Sequence, residues 1–217
     1  MMLRAHRVLQ KHLLHDHTIG TVREIHVRSL SPHSINPEAP LHWRQRRDLS
    51  GLNVLDLGIL YEMLARYLGH ARSVAAQTRV WTSQRFDPET GQMRIADVPE
   101  TVHLFAEMES GALAVWHLSS VAAFSGSPRV EIYGSEGTFV LDLPRQKVLG
   151  ARLENEELDE VPVPPELEYG WRVERDFIEA IREGKPIELT TFEEGVRYMA
   201  FTEAVHVSAL TGRRITI

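Results

Sequence analysis

The chain has 217 residues, 25% of them charged and 43% apolar, a composition typical of an ordinary globular protein, with length for one large domain or two small ones. A formal charge of -6 argues against nucleic acid as a partner, because no broad excess of Lys and Arg exists to neutralise phosphates. Cysteine is absent, which excludes disulfides and thiolate metal sites and fits a reducing compartment.

Leu3 to Leu14 reads as a short amphipathic helix with Leu3, Val8, Leu9, Leu13 and Leu14 near one face. The opening "MMLRAHRVLQKHLL" is too polar for a signal peptide, and no apolar run approaches the roughly 20 residues that span a bilayer. A cytoplasmic location is the expectation. His6, His12, His15 and His17 crowd this region, but no carboxylate pair accompanies them, so they are read as a solvated helix end and no metal site is expected.

"TVREIHVRSL" alternates as a strand, and "SPHSINPEAP", with three prolines, is a loop. "LHWRQRRDLS" leads into "SGLNVLDLGILYEMLARYLG", read as one buried helix from Ser50 to Gly69, with Asp48 or Ser50 as its cap and Gly69 in a left-handed position at its end. Asp56 falls in its first turns with no cation nearby in sequence.

From Ala71 to Leu153 short segments rich in Val, Thr and aromatics alternate with turn signals, among them "ESGA" and "GSEGT" as tight hairpin turns. Consecutive strands without intervening helices favour antiparallel pairing. "ENEELDEVPVPPELEYG" is an acidic surface loop, its run Glu154–Glu160 solvated. "WRVERDFIEAIREG" carries Val173, Phe177 and Ile181 at helical spacing. A second helix opens with Thr191 and Glu194 in capping-box spacing and stops at Gly212, and "RRITI" ends as a strand.

The order of elements predicts one α+β domain over residues 1–217, an open and largely antiparallel β-sheet with helices packed on one face. The other face, bearing the apolar content of "VWTS", "HLFAEM" and "AVWHLSS", is expected to self-associate into a homo-oligomer. No G-x-G-x-x-G, P-loop, H-E-x-x-H or G-x-S-x-G occurs, so the chain carries no recognisable nucleotide-binding device.

Four segments in order, "IGTVREIHVRS", "SGLNVLDLGILYEMLARYLG", "VEIYGSEGTFVLD" and the ending "DFIEAIREGKPIELTTFEEGVRYMAFTEAVHVSALTGRRITI", resemble the C-terminal domain of the glucose–fructose oxidoreductase, inositol dehydrogenase and MocA family of NAD(P)-dependent dehydrogenases. The resemblance implies a Rossmann domain ahead of this one, bearing the NAD or NADP site and a lysine in an E-K-P-type motif. Both are missing from these 217 residues, so the chain is expected to be a fragment, a separately produced domain or a truncated product, binding no dinucleotide and turning over nothing alone. The complete protein would pass hydride between a carbinol carbon of a sugar or polyol-like substrate and the nicotinamide.

The family typically shows an Asp and, four residues later, a His on the long helix. Asp56 stands at the first position and is the candidate catalytic residue, orienting the substrate or the absent lysine; its bland alternative is a structural carboxylate satisfying amides near the helix start. Leu60 stands where the His belongs and supplies neither proton transfer nor a hydrogen bond. Asn53 shares the face of Asp56, and His42, Trp43 and Arg44 come from the loop ahead; these four are candidate substrate contacts, Trp43 as a platform for a sugar. Tyr61 is also a candidate substrate contact, set against the favoured alternative of a core or domain-interface residue. Glu62 and Arg66 are read as an i, i+4 ion pair. Trp81, Trp116 and Trp171 are read as sheet, interface or core residues. The second functional reading is a non-catalytic binding or assembly module derived from the same family, with Leu60 as its mark.

Overall fold

The computed structural model describes residues 16–162, 173–186 and 191–217. The expected helix over Leu3–Leu14, with His6, His12 and His15, lies outside the described residues, as does Trp171.

Strand β1 (Val22–Leu30) leads through a loop to a 3-10 turn (Trp43–Gln45), a single helical turn α1 (Arg47–Ser50) and helix α2 (Leu57–Leu68). There follow β2 (Ala71–Arg79), β3 (Gln84–Asp87), β4 (Gln92–Ile95), β5 (Thr101–Met108), β6 (Leu113–Ser119), β7 (Arg129–Gly134), β8 (Gly137–Asp142), β9 (Lys147–Arg152) and the two-residue β10 (Asp159–Glu160). Helices α3 (Val173–Glu183) and α4 (Phe192–Thr211) and the short β11 (Ile215–Thr216) complete the described chain.

Nine strands form one sheet in the order β10-β9-β8-β7-β1-β6-β5-β2-β11, while β3 and β4 make a separate hairpin. The α+β, largely antiparallel expectation holds. β1 and β6 pair in parallel, a contact that two strands so distant in sequence can make because the chain between them is long enough for a crossover.

Alternation decides the two faces. In β5, Val102, Leu104, Ala106 and Met108 are buried while His103 and Phe105 are exposed, and β6 repeats the pattern with Ala114, Trp116 and Leu118 inward. Helices α2 and α4 cover the buried side. The Tyr61 ring stacks on Phe201 at 3.6 Å, and Trp116 from β6 lies 6.5 Å from Tyr61. The Ser208 hydroxyl accepts the Ala76 amide, which ties α4 to β2.

Local chemistry explains the boundaries. The capping box of α4 is made as expected: Thr191 Oγ1 accepts from the Glu194 amide and Glu194 Oε2 accepts from the Thr191 amide. Gly212 ends that helix at φ 68°, ψ 14°. "ESGA" and "GSEGT" are hairpin turns between β5 and β6 and between β7 and β8. Gly134 has a second constraint: a Cβ there would lie 1.9 Å from the Ile19 carbonyl oxygen, so the backbone approach excludes any side chain.

The structure differs from the sequence reading in three places. Ser50–Gly69 is not one helix, because Gly51 (φ 63°) and Leu55 (φ 52°) adopt positive φ and interrupt the helical path. Neither Asp48 nor Ser50 caps α2; Asp56 occupies the N-cap position, and Gly69 at the other end has φ 75° with ψ -178°, an extended glycine conformation rather than the left-handed helical one. The run "RSVAAQTRVWTS" stops as a strand at Arg79, and the β3–β4 hairpin, marked by "DPETG" between two alternating segments, follows it. α3 forms, with Val173, Phe177 and Ile181 exposed along one stripe.

Candidate functional site

Asp56 sits where β1 ends and α2 begins. Its backbone (φ -97°, ψ 12°) is not yet helical, and its side chain makes no cap bond to the helical amides. Its Oδ2 instead accepts a hydrogen bond from the Ser29 hydroxyl at 2.7 Å, and the residue is exposed. Leu55, directly ahead and partly buried against the core, holds φ 52°, a conformation costly for any residue with a Cβ. The partner of the carboxylate is thus a hydroxyl on β1 rather than an amide of α2.

Leu60 is 1% exposed and belongs to the core. Leu60, at the position where the family resemblance places a His, therefore faces the interior, while Asp56 faces solvent. Asp56 lies before the first helical residue, so its side chain leaves the helix axis in a different direction. Asn53 is exposed and close to Asp56 along the chain; its Oδ1 lies 3.5 Å from where a Cβ on Gly58 would stand, which places it over the first turn of α2. Ser29, Asn53, Asp56 and Gly58 thus share one neighbourhood.

His42, Trp43 and Arg44 form a second group. His42 caps the 3-10 turn: its Nδ1 accepts the Arg44 amide, and its own amide donates to Gln45 Oε1. Nδ1 as acceptor places the proton of the neutral ring on Nε2. Trp43 is 50% exposed, with the Arg44 guanidinium 4.9 Å from its ring centre and the His42 ring 5.6 Å away. An exposed indole flanked by donors is a surface suited to the apolar face and hydroxyl rim of a sugar.

Tyr61 is placed in the core at 2% exposure, stacked on Phe201, with its hydroxyl accepting the Ala71 amide at 3.0 Å and bonded to His70 Nδ1 at 3.2 Å. Burial pushes its phenol above the ordinary range, and it does not join either exposed group. Glu62 and Arg66 make the expected i, i+4 ion pair. Trp116 is core; Trp81 is exposed and donates from Nε1 to Thr101.

Sequence reading missed Ser29, the partner of Asp56, and the set Arg85, Asp97 and Glu100 that holds the loop carrying Trp43. The "DPETG" turn was the available signal for the hairpin bearing Arg85. Among the described residues no group of three or more His, Asp or Glu is placed to hold a metal ion. Among the described residues no strand passes into a helix through a glycine-rich turn of the dinucleotide-binding kind, and α2 is reached through the broken segment Gly51–Asp56.

The sequence-family model of the GFO/IDH/MocA C-terminal domain matches residues 9–140. No curated protein matches. Among solved structures, levoglucosan dehydrogenase in complex with NADH and L-sorbose is similar at 22% identity and a TM-score of 0.84, covering 100% of this chain and 63% of that one. An oxidoreductase domain protein from Kribbella flavida is similar at 22% identity and 0.84, and an NAD binding oxidoreductase from Klebsiella pneumoniae at 20% and 0.83, with 63% and 65% of those chains covered. At these identities the likeness is one of fold, and the chain spans a little under two thirds of the length of each.

Proposed function

This chain belongs to the GFO/IDH/MocA C-terminal domain family, and on that premise we propose that it is the substrate-binding and oligomerisation domain of an NAD(P)-dependent oxidoreductase acting on a sugar or polyol-like substrate. The observation that supports this best is Asp56: an exposed carboxylate at the end of the central strand, held by Ser29 and preceded by a strained residue. A carboxylate in that state accepts a hydrogen bond from a substrate hydroxyl and fixes which carbon is offered for oxidation. Asn53 would add a donor and an acceptor beside it, and His42, Trp43 and Arg44 would shape the approach. The dinucleotide would be held by residues outside these 217, and the chain by itself is expected to bind none.

One observation favours a second reading, a non-catalytic binding or assembly module. Leu60 lies inside the core, so the site lacks a base at that position and has no room to acquire one without repacking. The two readings separate in one experiment. The chain is produced together with its upstream reading frame, and polyols and sugars are screened for NAD(P)H formation. Turnover that drops by about a hundredfold in Asp56→Asn supports the first reading; sugar binding without turnover supports the second. Micromolar binding of NAD(H) to the 217-residue chain would overturn the assignment of the cofactor site to another domain.

A further inference from the structure

Between Ser31 and the 3-10 turn the chain has no regular structure, yet it leads directly into His42, Trp43 and Arg44, three of the residues assigned to substrate. Ordering such a loop costs about 1–2 kcal/mol per residue in backbone entropy, so something must hold it. Arg85, on β3, does. Its Nη1 donates to the carbonyls of Asn36 at 2.8 Å and Ala39 at 3.2 Å, and its Nη2 donates to the Ser34 carbonyl at 2.9 Å and to Glu100 Oε1 at 2.9 Å. Glu100 Oε2 accepts the amides of Trp81 and Thr82 at 2.8 and 2.9 Å, and its carbonyl accepts the Ser120 amide. The pair is almost wholly buried, Arg85 at 1% and Glu100 at 3%.

The grip continues along the loop. The Leu41 amide donates to the Phe86 carbonyl, and the amides of Asp97 and Val98 donate to the carbonyl of Gln45. Asp97 Oδ1 accepts the Arg47 amide at 2.7 Å. The β3–β4 hairpin and the segment after it therefore hold the loop on both sides of His42–Gln45.

A buried ion pair is a poor device for stability alone, since apolar residues of similar volume often serve as well or better. What a planar guanidinium does that an apolar pair cannot is fix three carbonyls of one loop in one geometry. We infer that Arg85 and Glu100 are positioning residues, holding the loop Ser31–Gln45 so that His42, Trp43 and Arg44 stand ready for a sugar or polyol. This rests on the reading that the loop contacts substrate.

Residue-resolved amide hydrogen exchange on the 217-residue chain tests the positioning. Arg85→Lys keeps the charge and loses the fork, and the double variant Arg85→Met with Glu100→Leu replaces the pair by apolar side chains. In both, exchange at Ile35, Ala39, Leu41 and Gln45 is expected to rise about tenfold or more while Val102, Leu104 and Leu118 stay within about twofold. A uniform rise across loop and core, or loss of the fold in both variants, would overturn the proposal by showing the pair to act on global stability. Kinetics of the protein carrying its upstream domain then separate this idea from the functional reading. Arg85→Lys and Trp43→Ala should each raise KM for the accepted polyol about tenfold with little change in kcat. If Trp43→Ala leaves KM unchanged while the loop is loosened in Arg85→Lys, the clamp stands but its substrate role falls; if the loop exchange does not respond, the clamp itself falls.

Discussion

The Ser29 hydroxyl donates to Asp56 Oδ2 across 2.7 Å, joining the end of the central strand β1 to the residue that opens α2. One hydrogen bond thus couples the sheet to the carboxylate the sequence offered as the candidate catalytic residue. Ser29→Ala should lower stability by about 1 kcal/mol, as loss of a single hydrogen bond to a charged but solvated partner does. On the oxidoreductase reading proposed above, the same change should reduce turnover, measured with the chain joined to a cofactor domain, by more than this small loss of stability accounts for. Urea denaturation and steady-state kinetics on one preparation check both.

Placing a histidine at position 60 should destabilise the fold rather than add a base to the site. Leu60 is 1% exposed, so Leu60→His buries an imidazole among apolar neighbours and should cost about 2–4 kcal/mol. The measurement is the shift in urea midpoint. A variant as stable as the parent would mean that α2 can turn this position toward solvent.

Acidification should weaken the fold through three histidines. His70, His117 and His206 are each held below the ordinary histidine value, first by burial and then by Arg197, by His103 and Arg28, and by Arg47 respectively. The unfolded chain therefore takes up these protons at higher pH than the folded one. Their contribution is fully present above the ordinary value of about 6.5 and is lost progressively below it. Thermal midpoints between about pH 7.5 and 5.5 should fall, and His206→Gln should make the fall shallower.

The open sheet face should be an interface between copies of this chain. Phe105, Leu113 and Val115 lie there at 64%, 61% and 36% exposure on the adjacent strands β5 and β6. A stable interface buries roughly 800 Å² per partner around such an apolar centre. Sedimentation equilibrium should give a multiple of the 24.7 kDa chain mass, and Phe105→Glu with Leu113→Lys should give the single mass with unchanged circular dichroism. A monomeric parent would remove this interface.

Much of the architecture was legible because it rests on local periodicity and local chemistry. Alternation marked β5 and β6, turn residues marked the β5–β6 and β7–β8 hairpins, and the Thr191–Glu194 box with Gly212 marked α4 at both ends. The start of α2 was not legible, because the apolar run "LNVLDLGIL" suits a helix and nothing local announces that Leu55 will take a positive φ. The site was half legible. Asp56 stood out as a lone acid in an apolar run, but Ser29 lies 27 residues away and Arg85 reaches a loop some 46 to 51 residues earlier.

By itself the sequence determined most of the strands, α4 with both its caps and the two-sided pattern of the sheet, since each depends on neighbours within a few residues. Only the tertiary structure decided which strand lies beside which, which acid meets solvent, and that Leu60 and Tyr61 face the core. Those outcomes depend on burial against distant segments, and the free energy of removing apolar surface from water has no direction that a single helix can reveal.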